Sequence, residues 1–114
     1  MLITTAPYVE GYRITHYGPL VASEAVMGTN IFRDYFAKVR DLVGGRSGAI
    51  QTALADARQQ VLQELTQQAQ QAGCNAIIAV DIDYGDISGK DKNMLIVAAQ
   101  GTAVKLEPLT KAGK

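Results

Sequence analysis

The sequence predicts an α+β fold. A core antiparallel sheet of three main strands is covered on one face by two helices, with a short extra strand at the N-terminus. Three observations carry this reading. From Ala49 to Ala72 apolar residues recur every three or four positions, the spacing of one helical face. The pattern stops at Gly73 and restarts as the alternating run Asn75–Tyr84, the spacing of a strand with two unlike faces. A second apolar run, Met94–Val104, carries no charge and suits the middle of a sheet.

The helical stripe consists of Ile50, Leu54, Ala57, Val61, Leu65, Ala69 and Ala72, with Gln59, Gln63, Thr66, Gln67 and Gln70 on the solvent side. Ser47 has a hydroxyl suited to accept from the first free N–H groups, so it is the expected N-cap. Gly73 is the expected stop, because glycine adopts positive φ without steric cost. Arg58 breaks the stripe: at about 100° per residue it falls inside the apolar arc. A buried guanidinium needs a carboxylate. Glu24 and the acids Asp34 and Asp41 are the candidates, giving a buried or intersubunit ion pair. The other reading lays the arginine stem along the core edge with its head in water.

In the following strand Ile78, Val80, Ile82 and Tyr84 share one face, and Ala79, Asp81 and Asp83 the other. Gly85–Asn93 reads as a hairpin loop. Upstream, Leu2–Thr5 is a short β-prone start ended by Pro7. Gly11–Val26 is extended, and Gly18-Pro19 reads as an interruption by a turn, bend or bulge. A short amphipathic helix follows, built on Phe32, Phe36, Val39 and Val43. The uncharged strand should lie between Gly11–Val26 and Asn75–Tyr84. The strand bearing Asp81 and Asp83 then falls at an edge, where charge discourages unwanted pairing. Thr110–Lys114 reads as a frayed tail.

A chain of 114 residues is one domain, 1–114, large enough for its own core. Lys+Arg and Asp+Glu both number 11, so no bulk charge draws the chain to nucleic acid or an anionic membrane. No apolar run reaches the length of a membrane span. The start Met1–Thr5 lacks the features of a signal peptide, and the single cysteine excludes an internal disulfide. A reducing cytoplasm is the expected setting.

Several short segments occur in an order that identifies a family: Thr4-Thr5, Gly11-Tyr12, Gly44-Gly45-Arg46-Ser47, Ala57-Arg58, Asn75-Ala76, Val80–Tyr84 and Gly101–Val104. Together they resemble the YbjQ-like family of small bacterial proteins, which carries a heavy-metal-binding label. The resemblance spans nearly the whole chain. It implies a dodecin-like core sheet in a subunit that assembles with copies of itself into a ring, typically a pentamer. It implies no established reaction. Where the family usually has alanine before Asn75, this chain has Cys74.

Four places are candidates for chemistry. Asp81 and Asp83, with Asp86, offer oxygen ligands to a hard divalent cation such as Mg²⁺ or Ca²⁺, or form a solvated or interface face. The Gly44–Gly48 loop precedes a helix and holds Gly45, Arg46 and Ser47. Flexible backbone, a guanidinium and a hydroxyl suit a small anion, and the same residues also serve as a helix–helix connection. His16 reads as a sheet histidine and Cys74 as a small buried hydrophobe rather than a reactive thiol. One thiol and one imidazole do not make a soft-metal site within a subunit. With one histidine, no catalytic triad emerges. The expectation is a non-enzymatic assembly module, with a metal- or anion-binding protein as the alternative. The residues name no cofactor.

Overall fold

The computed structural model describes residues 1–28, 46–88 and 93–109. Its elements are β1 (Leu2–Ile3), β2 (Tyr12–Met27), α1 (Arg46–Gln71), β3 (Ala76–Ser88) and β4 (Asn93–Pro108). The strands form one four-stranded sheet in the order β1-β3-β4-β2. β4 therefore lies between β2 and β3, as the uncharged run Met94–Val104 predicts.

The expected dodecin-like core, three antiparallel strands under two helices, needs correction. The sheet has four strands and is mixed, because β1 pairs parallel with β3 through Leu2↔Ala76 and Ile3↔Ile77. A two-residue strand has no periodicity from which its direction could be read. Its pairing also removes the expected edge position from the first half of β3. Beyond β1 the chain continues the contact, with Ala79 N–H donating to Ala6 O at 2.8 Å and Val80 N–H to Thr4 O at 3.0 Å. Among the described residues there is one helix. The expected helix around Phe32–Val43 lies outside them, as does the tail Thr110–Lys114.

The chain divides into two compact units. The first comprises Met1–Ser23, Leu62–Ile82 and Ala99–Lys114, the second Glu24–Val61 and Asp83–Ala98. In the first unit Leu65, Ile77, Val21 and Val104 are fully buried. Each contributes roughly 1.5–3 kcal/mol by leaving water. Ala76, Ile78, Val104 and Leu106 form a cluster there, with Val9 and Ile14 packed against it. In the second unit Ala53, Ala57, Val61 and Val97 are buried.

The end of α1 follows the sequence expectation. Gly73 has φ +77°, Cys74 N–H donates to Ala69 O at 2.9 Å, and Gly73 N–H to Gln70 O at 3.0 Å. These two bonds are a Schellman cap, which occupies the last free carbonyls and turns the chain toward β3. The start differs. Helix begins at Arg46, so Ser47 lies within its first turn and not at the cap. The stripe is buried at Ala57, Val61, Leu65 and Ala69, but Ala72 is exposed at the helix end.

Glycine at Gly18 does not interrupt β2, which runs unbroken for 16 residues. It allows close approach instead: a Cβ there would stand 2.6 Å from Cys74 Sγ and 3.0 Å from Ala103 O. Pro19 is tolerated because β2 is an edge strand. Gly101 has a similar role on β4, where a Cβ would meet Ile77 Cγ2 at 2.8 Å and Val80 Cγ2 at 2.9 Å. Opposite it, Ala79 takes φ +54°, a left-handed residue inside a strand. Such a residue is the mark of a bulge. Ile77 and Ile78 are both buried before it, and alternation resumes after it with Val80 buried and Asp81 exposed.

The strands are longer than expected. β3 continues to Ser88 and β4 starts at Asn93, so most of the anticipated Gly85–Asn93 loop is strand. Charged residues on the solvent side of a strand do not end it, as exposed Lys105 and Glu107 also show on β4.

Candidate functional site

Asp81, Asp83 and Asp86 all lie on β3 and are exposed. With Asp86 inside the strand, its odd spacing from Asp83 puts it on the opposite face. Asp81 already has an interaction partner. His16 is exposed on β2, whereas Cys74 is buried beneath Gly18. Among the described residues no three His, Cys, Asp or Glu side chains gather in a metal-binding group. The donors present therefore do not fit a soft-metal centre within one subunit: the thiol is enclosed and the imidazole stands apart in water.

Gly44 and Gly45 lie outside the described residues, and Arg46, Ser47 and Gly48 are helical. Helix therefore claims Arg46–Gly48, the second part of the anticipated anion loop.

Arg58 is exposed, contrary to the buried reading, and its Nη1 donates to Tyr84 Oη at 3.0 Å. Tyr84, which alternation groups with Ile78, Val80 and Ile82, is 50% exposed. The structure joins Arg58 to this phenol rather than to Glu24. Asp34 and Asp41 lie outside the described residues. The angular count places Arg58 inside the apolar arc, but its long side chain carries the guanidinium out to solvent.

Glu24 lines an open concavity of about 300 Å³ in the second unit. Ala25, Met27 and Ala53 supply its apolar wall, and Asp56 and Gln60 reach its rim. Both rim residues are already engaged in interactions, so they do not form an open ligand cage.

The feature that sequence reading missed is the free edge of β2. Among the described residues the strand has a sheet neighbour on one side only, β4. Tyr12, Tyr17 and Leu20 project from it at 47%, 67% and 69% exposure. Gln68 of α1 reaches this strand at Ala22: Ala22 N–H donates to Gln68 Oε1 at 3.1 Å, and Gln68 Nε2 donates to Ala22 O at 2.8 Å. One helical turn earlier, Glu64 accepts from Ser23 Oγ. Alternation along Gly11–Val26 hinted at an extended strand, but its edge position depends on topology that no local pattern carries.

A family model described as "Putative heavy-metal-binding" matches residues 1–107. A UPF0145 protein of Pasteurella multocida (strain Pm70) is 47% identical over 104 residues, covering 91% of this chain and 97% of the relative. A crystal structure of a DUF74-family protein of unknown function from Pediococcus pentosaceus ATCC 25745 superposes with a TM-score of 0.57 at 18% identity. That match covers 94% of this chain and 98% of the other, and it shows the shared fold.

Proposed function

The chain belongs to the YbjQ-like family, and from that premise we propose that it is a self-assembling subunit of a homo-oligomeric ring, a pentamer. Its interfaces, rather than a catalytic centre, are its chemistry, and with its single thiol reduced it works in the cytoplasm. No helix among the described residues is long and apolar enough to cross a membrane.

The observation that carries the reading is the open edge of β2. An edge strand that carries exposed Tyr12, Tyr17 and Leu20 is a template for another chain. A net charge of zero leaves no long-range repulsion between copies. Closed rings are the usual outcome when head-to-tail contacts repeat with a rotation that closes.

Sedimentation equilibrium or light scattering tests this. The expected mass is about 61 kDa, five copies of a 12.2 kDa chain. A stable monomer at micromolar concentration overturns the reading. The family's metal description is tested separately by metal analysis of the purified protein and calorimetry with divalent ions. A stoichiometric metal at one per chain would refute a purely assembling role.

A further inference from the structure

We propose that Gln68 is an edge guard: its carboxamide closes β2 at Ala22 and so limits how far a strand from a second copy can pair along the sheet. The proposal rests on the assembly reading for the identity of the partner, but not for the existence of the guard.

A peptide group on an edge strand presents one N–H donor and one C=O acceptor. A primary carboxamide presents the complementary pair. Gln68 satisfies both groups of Ala22 at once, at 3.1 and 2.8 Å, as a neighbouring strand would. The chain uses the same device at Asn75. There Leu106 N–H donates to Asn75 Oδ1 at 2.8 Å, and Asn75 Nδ2 donates to Leu106 O at 3.0 Å. The two positions differ in what surrounds them. Asn75 stands just before β3, beside a strand that is already central. Gln68, on α1, meets the outermost strand, beyond which no further strand follows among the described residues.

The contact is held in place by its neighbours. Glu64, four residues earlier on the helix, accepts from Ser23 Oγ, so adjacent residues of β2 are tied to successive turns of α1. An incoming strand would have to displace both side chains to pair past Leu20. The open stretch is therefore the N-terminal part of β2, the part that carries Tyr12, Tyr17 and Leu20. Proteins block strand edges because an unblocked edge keeps adding chains.

The test compares wild type, Gln68→Ala, Gln68→Glu and Gln68→Ala/Ala22→Pro by amide hydrogen exchange and light scattering. In wild type the Ala22 amide should be protected. In Gln68→Ala it should exchange at least about tenfold faster, and species larger than wild type should appear while far-UV circular dichroism stays native. Gln68→Glu keeps the acceptor for Ala22 N–H but sets a carboxylate against Ala22 O, so it should also loosen the contact. Adding Ala22→Pro removes the N–H needed for strand addition and should return the mass to that of wild type.

Unchanged mass in Gln68→Ala overturns the guard, whatever its exchange rate. So does growth that Ala22→Pro fails to suppress, or growth seen only after the native signal is lost. The two readings separate cleanly. A monomeric wild type with an associating Gln68→Ala keeps the guard and removes the ring. A pentameric wild type with an equally pentameric Gln68→Ala keeps the ring and removes the guard.

Discussion

Adding one methyl group at Gly18 should destabilise the protein in a way that removing one sulfur partly repairs. The Cβ of Gly18→Ala would lie 2.6 Å from Cys74 Sγ, well inside the separation that real Cβ contacts show. The sulfur has little room to retreat. Cys74 is 5% exposed, and its N–H is bound to Ala69 O in the helix cap. Overpacking of this kind costs about 1–3 kcal/mol, from which alanine's lower unfolded-state freedom recovers about 0.5–1. Cys74→Ala loses the burial of one small apolar group, about 1 kcal/mol. If the two act independently, the double variant loses the sum. With the clash removed it should lose about 1 kcal/mol less than the sum, since touching residues couple by 0.5–3 kcal/mol. The relief is incomplete, because Ala103 O also stands 3.0 Å from the new methyl and belongs to the backbone of β4. Urea unfolding of the four proteins at one fixed concentration gives the cycle, the concentration being held because association would shift stability. Additivity within about 0.3 kcal/mol would refute the claim that Gly18 is glycine to make room for Cys74.

Three further outcomes follow from single contacts. Ala79→Gly should leave stability unchanged or raise it by about 0.5 kcal/mol, since glycine holds φ +54° without the strain that alanine bears, while Ala79→Val should lower it by more than about 1 kcal/mol; thermal melts check the order. Asn75→Ala strips partners from both backbone groups of Leu106 and should cost about 1–3 kcal/mol by urea unfolding, with Asn75→Asp intermediate because it keeps one acceptor. Arg58→Ala should cost under about 1 kcal/mol in a single chain and match Tyr84→Phe, because their hydrogen bond is exposed; a loss of 3 kcal/mol or more would restore the buried ion pair that the helical count suggested.

What the sequence disclosed was what local periodicity and local caps can carry. The α1 stripe could be read from Ala57, Val61, Leu65 and Ala69, since a single helix face repeats regardless of what packs on it. Gly73 was readable because positive φ is a local requirement. The place of β4 was readable because an uncharged run has nowhere else to go. The failures share a different cause. Gly18 looks like a break in a strand, and only Cys74 and Ala103, far along the chain, show that it is a close approach. Ala79 gives no warning of a left-handed backbone, since the usual sign is a glycine. Here the glycine is Gly101, on the facing strand. The direction of β1 and the free edge of β2 are facts of topology, to which composition is blind.

Gln68 makes the same point for function. The glutamines of α1 read as a solvated face, and Gln59, Gln63, Gln67 and Gln70 are indeed exposed. Gln68 is half-buried, and at about 100° per residue it falls inside the apolar arc, five full turns after Ile50. Its partner is a backbone group 46 residues away, and a backbone group has no signature in the sequence. A side chain that completes a peptide's hydrogen bonds is therefore invisible to pattern and plain in geometry. The same holds for Arg58 in reverse: its charge is conspicuous in the apolar arc, yet the structure leaves it exposed with its Nη1 on a phenol. In this chain, conspicuous letters such as Arg58, Cys74 and His16 have ordinary environments. The neutral amides Gln68 and Asn75 instead complete the hydrogen bonds of backbone groups on β2 and β4.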